Sequence, residues 1–223
     1  MRALELIVTF DSEVMQVAGR SLLFAATSCS IAMLLSLFLG SYIHFNNFHG
    51  KRMIINIIQT LYSVPTVAVG LFVFVLISRA GPLGGLGILF TPVAIVFGQV
   101  LLVLPIITGL TISALSAVDR VVAETAISMG ANRLQSITLV IREARFAILA
   151  AIIMGFGRAI SEVGLSLMVG GNIKGFTRTI TTAISLETSK GDVELSMALG
   201  IILIFLALVI NIGLNRIQHR KDQ

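Results

Sequence analysis

Four uncharged, apolar runs occupy most of this 223-residue chain and constrain its fold more than any other feature. They cover residues 21–48, 53–78, 80–118 and 195–215, and a fifth run, interrupted by two charged residues, covers about residues 146–170. A bilayer core of about 30 Å needs roughly 20 apolar residues for each helical crossing. The chain is also 56% hydrophobic and only 12% charged, which excludes an ordinary soluble domain. These features predict an integral membrane protein.

The runs favour helices over the strands of a barrel, because barrel strands would give short alternating segments separated by turns. The third run is too long for one crossing, and the glycine-rich segment GPLGGLG followed by Pro92 breaks its first part. We therefore predict an all-α protein that forms a single transmembrane domain over residues 1–223. The five predicted spans lie at about residues 21–43, 53–78, 91–116, 146–168 and 195–215. A cytoplasmic loop of about residues 117–145 follows the third span.

Lys and Arg residues indicate which side of the membrane each loop faces, because cytoplasmic loops contain an excess of them. The segments 44–52, 116–146 and 216–223 contain nine Lys and Arg residues, whereas the segments on the other side contain six. This bias predicts a multi-pass protein of the cytoplasmic (inner) membrane, with its N-terminus outside and its C-terminus in the cytoplasm. The positive charge also predicts contact with anionic membrane lipid, and nothing in its pattern indicates binding of nucleic acid.

A polar stretch, ETAISMGANRLQSITLVIREARF, separates the third run from the fourth and is predicted to face the cytoplasm. Ser116 with Asp119, and Asn132 with Gln135, have the spacing of helix capping boxes, and Gly130 has the position of a residue that ends a helix. The stretch therefore predicts a helix, a glycine turn and a second helix. One side of the first helix is predicted to contain Val121, Val122, Thr125, Ala126 and Met129. Spacing alone leaves two interpretations open, a docking surface for another protein and an amphipathic loop lying on the headgroups.

The segment ETAISMG within this stretch resembles the E-A-A-x-x-x-G core of the cytoplasmic loop in permease subunits of binding-protein-dependent ABC importers. Glu124, Ala126 and Gly130 are in register, and Thr125 replaces the first alanine. The likeness extends over about residues 63–199, where GRAISEVG, GGNI and TRT are similar to the tungstate-type branch of the molybdate, tungstate and sulfate permeases. The family pattern continues with I-x-L-P, whereas this chain has Val-Ile-Arg-Glu in that register and lacks the terminal Leu-Pro.

The resemblance implies a type I importer fold and a channel subunit of an ATP-driven importer of an oxyanion, tungstate first and molybdate or sulfate as alternatives. The implied partners are a separate ABC ATPase, which binds ATP and Mg, and an extracytoplasmic substrate-binding protein. No cofactor is expected on this chain itself. Five spans are also few for enclosing a pathway, which argues for a homodimer. In the family this loop is a coupling helix that docks into the ATPase, a role that falls here on Glu124, Thr125, Ala126, Met129, Gly130 and Ala131.

Arg158 and Glu162 interrupt the fourth run, and a charged residue at the centre of a membrane helix costs about 2.5 to 3.5 kcal/mol. Their i, i+4 spacing predicts a pair on one helix face, directed into a bundle or dimer interior. Two interpretations stay open, a satisfied pair that fixes packing and a pair that lines or gates the permeation path. Such a path also needs donors for a tetrahedral dianion near the outer end of this helix, and the candidates are Asn172, Thr177, Arg178, Thr179 and Thr181.

Enzymatic activity is not expected of this chain. It contains no G-x-x-x-x-G-K-[S/T] phosphate loop, and its three histidines are too dispersed for a metal site. The serine beside Glu162 has no nearby histidine or lysine to activate it. We therefore expect no catalytic residue and no metal ligand. The alternative function is a stand-alone secondary carrier or channel with Arg158 and Glu162 in the coupling path, and dependence of uptake on ATP or on a proton gradient separates the two hypotheses.

Overall fold

The computed structural model describes residues 12–219, with the side chains of residues 12–213. Every regular element in this range is helical, so the predicted all-α fold is confirmed. The predicted positions of the two termini rest partly on residues 1–11 and 220–223, which lie outside the described residues. The helices are α1 (Ser12–Phe45), α2 (Lys51–Leu61), α3 (Thr66–Ile77), α4 (Pro92–Ser116), α5 (Arg120–Ser128), α6 (Arg133–Glu143), α7 (Arg145–Ile160), α8 (Gly164–Gly170), α9 (Ile180–Lys190) and α10 (Val193–His219).

Three of these helices, α1, α4 and α10, are each long and apolar enough to cross a membrane. Two further candidate spans are bent pairs of helices, α2 with α3 and α7 with α8. By length and composition, the described residues therefore contain three candidate spans, or up to five if each bent pair is one span. The five predicted spans fall on these five units.

The second predicted span differs most from the prediction, because α2 and α3 meet at an angle of 104°. Turns follow the end of α2, and Pro65 immediately precedes α3. Proline has no backbone N–H and cannot continue the hydrogen-bonding pattern of a preceding helix. α3 has 12 residues and is therefore about 18 Å long, which is shorter than a hydrocarbon core. Residues 53–78 are thus not one straight crossing.

Helix α4 lies at the centre of the bundle and packs on α1, α2, α3, α7 and α8. A short 3₁₀ turn, Gly84–Leu86, precedes it within the glycine-rich segment predicted to break the third apolar run. The side chain of Thr91 accepts a hydrogen bond from the N–H of Ala94, and Pro92 occupies the first helical position, so both residues favour a helix start here. Pro105 lies inside α4 without ending it.

Helix α8 packs closely against α3 and α4 around one leucine. A Cβ atom placed on Gly70 of α3 would lie 2.8 Å from the Cα of Leu165, and one placed on Gly98 of α4 would lie 2.7 Å from the Leu165 side chain. Leu165 itself is fully buried. Glycine at both positions therefore allows the three helices to approach more closely than any larger residue would.

Candidate functional site

Helices α5 and α6 form a hairpin, here called the polar hairpin, at the end of the bundle where α4 finishes. Asp119 caps α5, because its Oδ1 accepts a hydrogen bond from the N–H of Val121 at 3.0 Å. The predicted capping box of Ser116 with Asp119 is therefore wrong. Ser116 is the last residue of α4, and its hydroxyl donates to the carbonyl of Ile112 at 2.8 Å.

The turn of the hairpin has the predicted form. Gly130 has a φ of 88°, in the left-handed region, and its N–H donates to the carbonyl of Ile127 at 2.9 Å. The N–H of Ala131 donates to the carbonyl of Ala126 at 2.9 Å. Together these bonds form a Schellman motif, which satisfies carbonyls that a helix end would otherwise leave free.

The second helix of the hairpin begins with the predicted capping box. The Asn132 side chain accepts from the N–H of Gln135 at 2.9 Å, and the Gln135 side chain accepts from the N–H of Asn132 at 2.8 Å. Ala144 alone separates the end of α6 from the start of α7. The helix is therefore interrupted here without the proline of the family pattern, and the hairpin is directly joined to the candidate span that begins with α7.

Burial divides the predicted single face of α5 in two. Ala126 is buried against the rest of the hairpin, whereas Val121 and Met129 are exposed. Three strongly exposed apolar side chains flank the glycine turn: Met129 is 84% exposed, Leu134 75% and Ile127 59%. We call Ile127, Met129 and Leu134 the hairpin tip. The inner side of the hairpin packs on α4 and α7 through a cluster that includes Val140 and Ala144.

The α1–α2 loop lies at the same end of the bundle as the hairpin. Arg133 Nη2 donates to the side-chain oxygen of Asn46 at 2.9 Å, and the Ser116 hydroxyl lies 3.2 Å from His44 Nδ1. The segments 44–52 and 116–146, which the charge count assigns to one side of the membrane, are thus neighbours in the fold.

Most of the predicted donors for a dianion are buried together near the opposite end of the bundle, where α1 begins. We call Thr177, Thr179, Thr181 and Thr182 the threonine cluster, and each is at most 5% exposed. The Thr177 hydroxyl donates to the carbonyl of Gly170 at 2.5 Å and accepts from the N–H of Ile173 at 2.9 Å. The Thr179 hydroxyl lies 3.1 Å from those of Thr181 and Thr182. These hydroxyls therefore bond within the chain.

Asn172 and Arg178 lie beside the threonine cluster and are only partly buried. Asn172 has a φ of 50°, and its side-chain N–H donates to the carbonyl of Thr182 at 3.3 Å. Arg178 Nη1 lies 3.7 Å from the carboxylate of Glu13, which also accepts from Lys174 Nζ at 2.6 Å. Glu13 therefore links α1 to the segment between α8 and α9.

The predicted pair of Arg158 and Glu162 is not formed. Helix α7 ends at Ile160, between the two residues, so they do not share a helix face. Arg158 is exposed, whereas Glu162 is 4% exposed and its Oε1 accepts from the N–H of Leu165 at 2.9 Å. No ion pair joins the two side chains among the described residues.

Comparison with known proteins assigns the chain to a family. The family of binding-protein-dependent transport system inner membrane components matches residues 22–223. The chain belongs to this family. The tungstate uptake system permease protein TupB of Peptoclostridium acidaminophilum is 40% identical over 217 residues, which cover 97% of this chain and 95% of that protein. The protein of the same name from Campylobacter jejuni is 39% identical over 210 residues, covering 94% and 88%.

Solved structures with the same fold include a chain of the MetNI methionine ABC transporter in inward-facing conformations. It has a TM-score of 0.75 at 15% identity, covering 93% of this chain and 95% of that one. A chain of the bacterial alginate ABC transporter, in complex with a periplasmic protein that holds an alginate pentasaccharide, has a TM-score of 0.77 at 20% identity, covering 97% and 82%. At these identities the likeness concerns the fold, and the predicted permease fold is confirmed.

Sequence reasoning about this inner membrane component missed two sets of residues. Ile127 occupies an unspecified (x) position of the E-A-A-x-x-x-G pattern, and Leu134 lies beyond the pattern, on α6. Only their exposure places them at the hairpin tip. Gln99, which is 2% exposed, accepts from the Ser28 hydroxyl at 2.9 Å and donates to the carbonyl of Ala159 at 3.1 Å. A lone glutamine in an apolar run is a usable signal, because a buried amide must find partners.

Proposed function

We propose that this inner membrane component is the channel subunit of an ATP-driven ABC importer of an oxyanion, with tungstate as the first candidate substrate. Two relatives described as tungstate permeases are 40% and 39% identical over at least 94% of the chain, which supports tungstate. A molybdenum transport permease of Haemophilus influenzae is 26% identical over 85% of the chain, so molybdate belongs to the same substrate class. The proposed assembly contains two copies of this chain, a binding protein outside, and a separate ATPase that binds ATP and Mg.

The exposed hairpin tip is the observation behind the coupling role. Ile127, Met129 and Leu134 present apolar side chains to the surroundings on a polar hairpin, and exposed apolar side chains grouped in this way are typical of a contact surface. The Schellman turn and the capping box fix the shape of this tip, and Ala144 joins it to α7. A preorganised apolar tip joined to a candidate span is suited to docking into a groove of the ATPase.

The six residues of the proposed coupling motif have two different tasks. Glu124, Thr125 and Met129 are exposed and are assigned to contact with the ATPase. Ala126, Gly130 and Ala131 form the packing and hydrogen bonds of the turn that positions them.

The proposed orientation places the polar hairpin and the C-terminus in the cytoplasm and the N-terminus outside, in the cytoplasmic membrane. The excess of Lys and Arg in the segments on the hairpin side supports it. The threonine cluster then lies towards the outside, where a binding protein would deliver the anion.

The seven residues predicted for the translocation path are divided by exposure. Arg158 is exposed on α7 and is assigned to the pathway between two copies. Asn172 and Arg178, partly exposed near the outer end, are assigned to its entrance. The other four, which are buried and hydrogen-bonded within the chain, are assigned to its framework: Glu162, Thr177, Thr179 and Thr181.

Replacing one tip residue tests the coupling role. Met129→Glu should lower retention of the co-expressed ATPase on the purified chain by about tenfold or more, because a carboxylate would be buried without a partner in the docking groove. Met129→Leu, which keeps an apolar side chain at the same position, should retain the ATPase. Both variants should insert and purify like the natural chain. Normal ATPase retention by Met129→Glu would contradict the proposal.

Transport by the reconstituted complex tests the substrate and the energy source. Tungstate, molybdate and sulfate uptake should be measured in proteoliposomes containing this chain, its ATPase and its binding protein. We expect uptake of tungstate to require ATP and to continue when the proton gradient is abolished. Uptake driven by a proton gradient through this chain alone would instead support the secondary carrier.

A further inference from the structure

The break between α7 and α8 lies between the polar hairpin and the threonine cluster. The two helices meet at 59° across residues 161–163, which we call the joint. Helix α7 is joined to the hairpin at its start, and α8 leads to the segment that contains the threonine cluster. The joint is therefore the direct covalent path by which a displacement that begins at the hairpin and travels along α7 reaches α8.

The end of α7 is tied to two other helices at the joint. Gln99 of α4 donates to the carbonyl of Ala159 at 3.1 Å, and its side-chain oxygen accepts from the Ser28 hydroxyl of α1 at 2.9 Å. Gln99 and Ser28 are at most 2% exposed. Hydrogen bonds in such a water-excluded place are costly to leave unmade, so they hold the last turn of α7 in register with α1 and α4.

Glu162 connects the joint to the helices on its other side. Its carboxylate accepts from the N–H of Leu165 in the first turn of α8, and its own carbonyl accepts from the Thr181 hydroxyl of α9 at 2.7 Å. Leu165 is the side chain enclosed by the close approaches of Gly70 and Gly98. The side chain and backbone of Glu162 therefore fix the direction of α8 and the position of α9 together.

The hydrogen bonds continue from Glu162 to the outer end of the bundle. Thr181 contacts Thr179, whose backbone N–H donates to the Thr182 hydroxyl, and the carbonyl of Thr182 accepts from Asn172. A carboxyl group buried in a membrane protein is costly, and an uncharged side chain could fill the same space. The bond between its carboxylate and the Leu165 N–H gives a reason for its presence that does not involve substrate.

We propose that Glu162 is a positioning residue of the transport cycle: by holding the joint at a fixed angle, it makes α7, α8 and α9 move together when the ATPase displaces the polar hairpin. Without it, the joint absorbs the displacement and the outer end stays still. This inference rests on the proposed coupling function of the hairpin.

The ratio of tungstate transported to ATP hydrolysed tests the role of Glu162. It should be measured in the reconstituted complex with ATPase and binding protein, for Glu162→Ala, Glu162→Gln and the control Thr27→Val. We expect Glu162→Ala to lower the ratio by about tenfold, within the usual range for coupling between distant sites, while ATP hydrolysis continues. Glu162→Gln should stay within about twofold of the natural chain, because its amide oxygen still accepts from the Leu165 N–H. Thr27→Val, on an exposed part of α1 where the hydroxyl donates only to the carbonyl of Leu23, should leave the ratio unchanged.

An unchanged ratio in Glu162→Ala would overturn the proposal. An equal loss in Glu162→Gln would also overturn it, because the charge and not the acceptor geometry would then be required. If Glu162→Ala does not fold, Thr181→Val removes the other connection of the joint and should lower the ratio while the ATPase remains bound. A Thr181→Val complex with an unchanged ratio would overturn the proposal as well.

Failure of the inference and failure of the proposed function give different results. If the hairpin does not couple, the ATPase fails to co-purify with the natural chain or is unaffected by Met129→Glu. If only the inference fails, the ATPase co-purifies and Met129→Glu removes it, but Glu162→Ala transports as efficiently as the natural chain.

Discussion

The polar hairpin and the threonine cluster use their side chains in opposite ways. The hairpin exposes apolar side chains such as Met129, whereas the cluster buries hydroxyls such as that of Thr177. The turn of the hairpin is held by bonds between near neighbours, Asn132 with Gln135 for example, whereas the N–H of Ile180 beside the cluster donates to Ser21, 159 positions earlier. A region that buries and satisfies its polar groups is complete within one chain, whereas a region that exposes apolar groups needs a partner.

Overfilling the packed region beside the threonine cluster should have the largest effect on stability. In Gly70→Ala the new Cβ would lie 2.8 Å from the Cα of Leu165, and backbone cannot move aside as a flexible side chain can. We expect a loss of about 3 kcal/mol in the free energy of unfolding, measured by denaturation of the purified chain in detergent. Gly157→Ala, on a helix with nothing within 4 Å of the new Cβ, is the control and should not destabilise. Equal stability of the two variants would contradict the close packing.

Removing one hydroxyl from the cluster should have a smaller effect. Thr177→Val keeps the shape of the side chain but leaves the N–H of Ile173 without its acceptor and the carbonyl of Gly170 without its donor. We expect a loss of about 2 kcal/mol in the same denaturation measurement. Thr27→Val, which removes only an exposed bond to the carbonyl of Leu23, should change little. Full stability with loss of transport would show that Thr177 contacts the anion, and the comparison between the two regions would fail.

Straining the glycine turn of the hairpin should have the smallest effect on the isolated chain. Gly130→Val forces a β-branched residue to a φ of 88°, at a cost of about 1 to 2 kcal/mol. Gly130→Asn is the control, because asparagine tolerates this region better. If the hairpin needs a partner, Gly130→Val should weaken retention of the ATPase more clearly than it lowers the denaturation midpoint of the isolated chain. Identical ATPase retention by the two variants would show that the shape of the turn is unimportant.

Features that depend on residues close together in the sequence were predicted correctly, whereas features that depend on residues far apart in the sequence were not. Gly130 and the box of Asn132 with Gln135 act within five residues, and the structure confirms them. The pairing of Arg158 with Glu162 is wrong because it assumes a continuous helix, and two of the bonds at the break come from Gln99 and Thr181, which belong to other helices. Pro65 indicates that the helix is interrupted within the second span, but the bend of 104° between α2 and α3 depends on how both helices pack against α4.

The positive φ of Gly130 also makes this position suitable for a D-amino acid. Nothing lies within 4 Å of a Cβ placed there, so the position has room for a side chain. The only strain that an L-residue meets there comes from its positive φ. A mirror-image residue such as D-alanine prefers positive φ and would fit without strain. Its methyl group would also restrict the unfolded chain, as alanine does where it replaces glycine in compatible conformations. We therefore expect a semisynthetic chain with D-alanine at this position to have a more stable hairpin turn than the chain with glycine.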